Sequence, residues 1–220
     1  MDAIPLRNAI SVLVIEGEDG FTLVDTGVGS SAGRIREALT ALGSGPDNLK
    51  RIYLTHHHGD HISGLPGVLE WAPDTELIAL EHEARIISGQ QAVDERPNRI
   101  VRFLDQRGNL PTAPVNRTMD EGDTVAGFRM ISTPGHTLGH TSLLRDGDGL
   151  LFTADAFGRL PRKLRVGVLR AFCTNPAQAK RSAEKLLEEE FRTVILAHGE
   201  PLRAGAKELL RAAVARCDYT

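Results

Sequence analysis

Apolar residues along this chain recur in short runs of the kind that form β-strands. Seven runs predict strands: Ile10–Ile15, Phe21–Val24, Arg51–Leu54, Glu76–Leu80, Gly127–Ile131, Leu150–Phe152 and Thr193–Leu196. Segments with the helical spacing of apolar residues lie between these runs. Strands and helices mixed along one chain predict a layered α/β fold, although periodicity alone does not fix the strand order.

Three segments predict helices from their caps and apolar spacing. The first follows Ser30 and Ser31 as its cap, and the second begins at Asn175 with Pro176 in its first turn. The third covers about Ala204–Arg216. Its expected buried residues are Leu209, Leu210, Ala213 and Val214.

Five of the strand-like runs are followed, within five residues, by an aspartate or a histidine that ends the motif. These residues are Asp25, His56, His136, Asp155 and His198. Strand ends are where α/β proteins place functional side chains on a rigid base. Five such residues in one chain therefore indicate a functional site rather than a set of unrelated turns.

The densest group of potential metal ligands is the run THHHGDH. Imidazole and carboxylate are the usual ligands for zinc, iron and related ions. His56 and His58 are two residues apart, so in an extended segment they point to the same side. Asp60 and His61 follow on the next turn and can reach a second ion, whereas His57 is expected to point away.

Further ligands are expected after the later strands. His136 lies in a rigid Pro-Gly turn, and His140, four residues later, is the competing candidate. Asp155 offers two carboxylate oxygens that can bridge two cations. His198 ends another apolar run.

The motifs LVDTGVG, THHHGDH, TPGHTLGH, TADAF and LAHGEP, in this order, resemble those of the metallo-β-lactamase superfamily. The resemblance extends from about Ile10 to Pro201. It implies a four-layered αββα sandwich of the α/β class with a metal site at one edge. By the same resemblance, His56, His58 and His136 would hold the first metal, and Asp60, His61 and His198 the second. Asp155 would bridge the two ions, and Asp25 would support the ligand loop without binding metal itself.

This resemblance implies a metal-dependent hydrolase of the glyoxalase II type, in which metal-bound hydroxide cleaves an ester, thioester or lactone. Asp60 is then the catalytic residue that orients or accepts a proton. Two Zn²⁺ ions per chain are expected, with iron or manganese as alternatives. Three other functions stay open: a mononuclear iron persulfide dioxygenase, an N-acyl homoserine lactonase-like enzyme, and a metal-binding or sensing protein without catalysis.

Composition and charge indicate the domain organisation, the cellular compartment and the kinds of partner to expect. The 220 residues are expected to form a single domain, 1–220, and a net charge of −3 argues against a nucleic-acid partner. No apolar stretch approaches the length of a membrane span, and two cysteines fit a reducing compartment. The predicted protein is cytoplasmic and acts on a small molecule without nucleic-acid or membrane partners. A homo-oligomer is possible, but nothing in the sequence supports one.

A basic segment follows Asp155 and contrasts with the acidic chain. Its candidate substrate-binding residues are Arg159, Arg162, Lys163 and Arg165. If the segment faces the cleft, it would attract an anionic substrate. The alternative is an ordinary solvated loop.

Overall fold

The computed structural model describes residues 3–7, 10–105, 109–160 and 163–219. Internal contacts divide the chain into two compact units. The first unit takes Met1–Ala92 and Asn109–Met119, and the second takes Val93–Gly108 and Asp120–Thr220. The sequence contains no linker-like stretch at these boundaries, so this division is visible only in three dimensions.

The first unit is built on a six-stranded sheet of order β1-β2-β3-β4-β5-β6. Its strands are β1 Ala3–Arg7, β2 Ser11–Gly17, β3 Gly20–Val24, β4 Leu49–Leu54, β5 Glu76–Leu80 and β6 Arg117–Met119. Its α-helices are α1 Ser31–Ala41, α2 Gly59–Ile62, α3 Leu65–Trp71 and α4 Glu81–Ile87. β1, β2 and β3 pair antiparallel, whereas β3 to β6 pair parallel.

One face of this sheet forms the core of the first unit. Leu23, Ile52 and Leu77 are paired neighbours on β3, β4 and β5, so their side chains line the same face. They belong to one buried cluster with Ile35 and Leu39 of α1. The helical spacing of Ile35 and Leu39 places both side chains on the buried side of that helix.

The second unit carries a five-stranded sheet of order β13-β10-β9-β8-β7 and a separate two-stranded ribbon, β11-β12. Its strands are β7 Thr124–Val125, β8 Phe128–Ser132, β9 Thr141–Arg145, β10 Leu150–Phe152, β11 Phe157–Arg159, β12 Leu164–Val166 and β13 Thr193–Ile195. Its α-helices are α5 Arg99–Asp105, α6 Pro176–Leu186 and α7 Ala206–Ala215. Short 3₁₀ turns at Pro46–Asn48, Ala154–Ala156 and Arg170–Phe172 complete the elements of both units.

The core of the second unit is also formed by one sheet face and two helices. Leu144, Leu151 and Val194 are paired neighbours on β9, β10 and β13. They share a buried cluster with Leu186 of α6 and Leu210 of α7. Each unit therefore has its own apolar core, which supports the strand ends that carry the polar residues.

The predicted strands and helices are confirmed in type, with boundaries shifted by up to two residues. The Asn175 cap is also confirmed, since its side chain accepts a hydrogen bond from the Gln178 N–H at 3.1 Å. Ser30 occupies the cap position of α1 but forms no side-chain cap bond. The expectation that Leu209 is buried is wrong: the residue is 41% exposed, because the apolar face of α7 is centred on Leu210 and Ala213.

Within the described residues, no helix combines the length and the hydropathy needed to cross a membrane.

Candidate functional site

The ligand-rich loop of the first unit lies where two parallel strands end side by side. Asp25 follows β3, and the run from Thr55 to His61 follows β4. Because β3 and β4 are parallel neighbours, their carboxyl ends meet at the same edge of the sheet. The fold therefore brings Asp25 to the start of the histidine loop.

Asp25 is fully buried and organises that loop through both carboxylate oxygens. Oδ1 accepts from the Thr55 N–H at 2.8 Å, and Oδ2 lies 2.7 Å from His61 Nδ1. The Asp25 backbone has φ 62°, a left-handed conformation that aspartate tolerates better than most residues. This backbone turn lets one carboxylate reach both ends of the loop.

The same contacts determine which ring nitrogen of two histidines could bind a metal. The Thr55 hydroxyl lies 2.9–3.0 Å from both Asp25 oxygens and 3.0 Å from His56 Nδ1. Its single hydrogen goes to the carboxylate, so it accepts from the His56 Nδ1–H. His61 likewise donates its Nδ1–H to Asp25. Both rings then carry their lone pair on Nε2, the arrangement that supporting carboxylates and hydroxyls impose on metal-binding histidines.

The imidazoles of the loop are close together and buried. The ring centroids of His56 and His61 are 4.0 Å apart, and those of His56 and His58 are 4.6 Å apart. Potential ligand atoms of His56 and His58 lie within 4.8 Å of each other, as do those of Asp60 and His61. Asp60 is half-buried in the first turn of α2.

His57, which was expected only to point away from the metals, has a specific partner. Its backbone N–H donates to Glu83 Oε2 at 2.8 Å, and its Nδ1 lies 2.7 Å from the same oxygen. His57 is 3% exposed and Glu83 is 0% exposed. The pair anchors the middle of the histidine loop to α4, a contact that the sequence did not reveal.

Three strands of the second unit also end at one edge. β10 and β13 are parallel neighbours, and β8 runs in the same direction as β10 because both pair antiparallel with β9. The loops after these strands carry His136, Asp155 and His198. Asp155 Oδ2 lies 3.0 Å from His136 Nε2, and its Oδ1 lies 3.4 Å from His198 Nε2. One carboxylate therefore contacts both histidines.

The turn that presents His136 depends on a glycine. Gly135 has φ +130°, and a Cβ on this residue would lie 2.1 Å from the backbone nitrogen of Ala179 in α6. The turn thus packs its main chain directly against the helix. This contact fixes the position of His136, which is 2% exposed.

His140, the alternative to His136 as a ligand, uses both ring nitrogens inside the protein. Its Nε2 accepts from the Asp155 N–H at 3.0 Å, so its Nδ1 carries the hydrogen. That Nδ1 lies 2.9 Å from the Thr133 hydroxyl. His140 thus holds the backbone of Asp155, and His136 is left as the candidate ligand of this motif.

The residues of the predicted basic segment differ in their surroundings. Arg159 donates its backbone N–H to the His198 carbonyl at 2.6 Å. Arg165 is half-buried and Lys163 is exposed, while Arg162 lies outside the described residues. Only Arg159 among the described cations of this segment is joined to a residue of the predicted metal-ligand set.

The two cysteines are separate from the predicted ligand sets. Cys173 is fully buried in the core of the second unit, and its Sγ donates to the Gly167 carbonyl at 3.6 Å. Burial raises the pKa of this thiol to about 12. Cys173 therefore packs as a small apolar residue.

The donor chemistry of both units fits a transition metal. Each unit offers imidazoles and at least one carboxylate, a set that suits zinc, iron or manganese better than calcium or magnesium. In the first unit the supporting hydrogen bonds also fix the ring tautomers. The ligand roles that the resemblance assigns to individual residues stay predictions.

The family model of the metallo-β-lactamase superfamily matches residues 6–198 of this chain. The probable metallo-hydrolase YflN of Bacillus subtilis (strain 168) is 27% identical over 90% of this chain and 83% of its own. Hydroxyacylglutathione hydrolase of Photobacterium profundum is 28% identical, but the match covers 63% of this chain and only 42% of that enzyme. Among solved structures, a metallo-β-lactamase variant from Cronobacter sakazakii (Enterobacter sakazakii) has a TM-score of 0.73. That match shares 22% identity and covers 97% of this chain and 90% of that chain.

These matches, together with the histidine and aspartate groups at the strand ends, define a metallo-hydrolase. The chain belongs to the metallo-β-lactamase superfamily and has its mixed α/β fold, which confirms the resemblance drawn from the motifs. Its glyoxalase II homologues are distant.

Proposed function

We propose that this protein is a binuclear metal-dependent hydrolase that cleaves a thioester, ester or lactone of a small anionic metabolite. The observation that supports it best is the position of Asp155, whose two oxygens contact His136 and His198 while His140 holds its backbone. A carboxylate held in this way is suited to bridge two ions. The distant likeness to hydroxyacylglutathione hydrolase favours a thioester within this range.

Following the family pattern, His56, His58 and His136 would hold one ion, and Asp60, His61 and His198 the other, with Asp155 between them. The ions are proposed to be zinc, with iron or manganese as alternatives. Bound there, they would polarise the scissile carbonyl and lower the pKa of water to about 7.

The remaining chemistry belongs to the side chains of this protein. The Asp60 carboxylate orients the attacking water and accepts its proton. The Asp25 carboxylate keeps the proton of His61 on Nδ1, so that Nε2 stays available as a ligand. Cys173 takes no part, because its thiol is protonated and buried.

The N-acyl homoserine lactonase alternative is a poorer match, because enzymes of that type carry a tyrosine shortly after the bridging aspartate. The corresponding residue here is Phe157, which is fully buried in the core of the second unit. Of the two tyrosines, Tyr53 is fully buried in β4 and Tyr219 donates its hydroxyl to the Val166 carbonyl at 3.0 Å. Both side chains already have structural roles.

The setting predicted from the sequence belongs to the same proposal. We propose a cytoplasmic enzyme that acts on a small molecule without nucleic-acid or membrane partners. The net charge of −3 supports the absence of a nucleic-acid partner, and the two cysteines fit a reducing compartment.

The test is an assay of the purified protein, stripped with a chelator and then reloaded with Zn²⁺, Fe²⁺ or Mn²⁺. We expect hydrolysis of hydroxyacylglutathione thioesters, or of simpler thioesters and lactones, that depends on the added metal. Oxygen uptake with glutathione persulfide, together with a single bound iron, would show that the protein is a persulfide dioxygenase rather than a hydrolase. Metal binding without turnover on any of these substrates would leave a binding or sensing protein.

A further inference from the structure

We propose that Arg159 determines substrate specificity by pairing its guanidinium with a carboxylate of the substrate beside His198. This inference deepens the proposed hydrolase function and rests on it for the identity of the bound molecule. It assigns the anionic end of the substrate to one residue of the basic segment rather than to the segment as a whole.

Arg159 lies directly against the loop that carries His198. It ends β11, and its backbone N–H donates to the His198 carbonyl at 2.6 Å. The next residue, Gly199, has φ +126°, and a Cβ there would lie only 2.7 Å from the Arg159 Cβ. Glycine at this position therefore allows the stem of Arg159 to pack on the main chain next to His198.

The Nε of the Arg159 guanidinium is buried without an acceptor. Across the described part of the chain, no side chain or carbonyl accepts a hydrogen bond from this nitrogen. Leaving a buried charged donor without an acceptor is unfavourable, so such groups usually have a partner. A substrate carboxylate would provide that partner through two parallel hydrogen bonds.

Among the described residues, the other cations of the segment and the nearby Arg170 do not share these properties. Arg165 pairs with Gly158 across the β11-β12 ribbon, so its side chain leaves the opposite face from that of Arg159, and its Nε donates to the Leu160 carbonyl at 3.3 Å. Arg170 donates to the Asp218 carbonyl at 3.2 Å and lies over the Tyr219 ring. Lys163 is exposed to solvent.

The experiment compares two thioesters that differ only in charge, S-acetyl-3-mercaptopropionate and the corresponding amide. In the zinc-loaded protein, Arg159→Gln should lower kcat/KM for the acid roughly tenfold or more, because a charge-assisted hydrogen bond is lost. The loss should appear in KM, and the amide should be unaffected. The matched control is Arg192→Gln, which removes the same charge from an exposed position of the second unit and should change neither substrate.

A second experiment measures binding of two non-hydrolysable compounds, so that the role of Arg159 can be tested even if the protein is not a hydrolase. S-propyl-3-mercaptopropionate and its amide have a thioether in place of the thioester, and calorimetry measures their affinities without turnover. Wild type should prefer the acid, Arg159→Gln should lose that preference, and Arg159→Lys should keep only part of it.

The outcomes are distinguishable. If wild type hydrolyses neither these thioesters nor the esters and lactones of the first assay but prefers the thioether acid through Arg159, the proposed hydrolase function fails and the role of Arg159 stands. If wild type and Arg159→Gln show the same ratio of acid to amide binding, or if neither thioether binds, the role of Arg159 is overturned.

Discussion

Asp155 is the residue on which the ligands of the second unit converge. Its carboxylate contacts His136 and His198, and its backbone N–H is held by His140. Asp155→Ala should reduce bound metal by about one ion per chain. Turnover should fall by at least about 10²-fold, because water activation would then lack one of the two proposed ions. Metal content and kcat on a thioester substrate measure both effects.

A suitable control for this substitution is Asp148→Ala. Asp148 lies in the turn before β10, and its carboxylate accepts from the Arg145 guanidinium at 2.7–2.9 Å. Its removal should leave metal content and kcat unchanged. Equal losses of metal and turnover in the two variants would show that Asp155 is not a metal ligand.

The two cysteines should differ sharply in reactivity. Burial raises the pKa of Cys173 to about 12, so at pH 8 this residue is almost entirely the unreactive thiol. Cys217 is only half-buried, although burial also raises its pKa. With a disulfide reagent at pH 8, the native protein should expose one slowly reacting thiol and the protein in denaturant two. If both thiols reacted at similar rates in the native protein, Cys173 could not be buried as described.

At the scale of elements, the histidine loop is tied to α4 by Glu83. Glu83→Ala would leave the buried His57 N–H without its acceptor, which should cost about 1–3 kcal/mol of stability in the metal-free protein. The displaced loop should also bind metal about 10–100-fold more weakly. Urea unfolding and metal titration measure these two changes. Because the His57 ring also contacts Glu83, His57→Ala should weaken the same attachment of the loop.

Glu81→Ala is the matched control, because Glu81 lies on the same helix but is exposed, and its carboxylate accepts a hydrogen bond from the Arg85 guanidinium at 2.8 Å. Its removal should change stability by less than about 0.5 kcal/mol. If Glu81→Ala and Glu83→Ala destabilise equally, the anchoring role of Glu83 is wrong.

The sequence predicted strand bounds best where polar or turn-forming residues directly flank the apolar run. Glu76–Leu80 and Leu150–Phe152 are flanked in this way, and their predicted bounds are those observed. The strand Thr141–Arg145 went unpredicted, because it begins with two polar residues that are buried only by the neighbouring strands. The seven residues of α4 are too few to show a helical period, so the burial of Glu83 could not be read from them.

Part of the candidate site was likewise predictable and part was not. The apolar runs before Asp25, Asp155 and His198 were enough to predict that these residues lie at strand ends. The choice between His136 and His140 could not be predicted, because it depends on where β9 begins: that strand brings His140 Nε2 to the Asp155 N–H. No spacing rule contains this information.

For the whole molecule, metal binding should be coupled to folding. Ligands from separate strands come together only in the folded chain, so an ion that binds the native state stabilises it by mass action. Zinc at about 100 times its Kd should add about 2.7 kcal/mol for each site, or about 5.4 kcal/mol for two sites, and so raise Tm. Elemental analysis should find two ions per chain. Calcium at the same concentration is the control and should leave Tm unchanged, because it prefers oxygen ligands.

A single tightly bound ion after reloading with excess zinc would contradict the binuclear proposal. A rise in Tm of equal size with calcium would show that the stabilisation does not come from the imidazoles.

The discontinuity of the first unit has a consequence for dividing this protein into fragments. Its sixth strand, β6, is supplied by Arg117–Met119, after the chain has passed through Val93–Gly108 of the second unit. A fragment that stops at Ala92 would lack this strand and leave β5 at the edge of the sheet, with unpaired peptide groups that promote association between copies. Split reporters or circular permutants built on this chain therefore need to keep Asn109–Met119 with the amino-terminal half, since no single cut separates the two units.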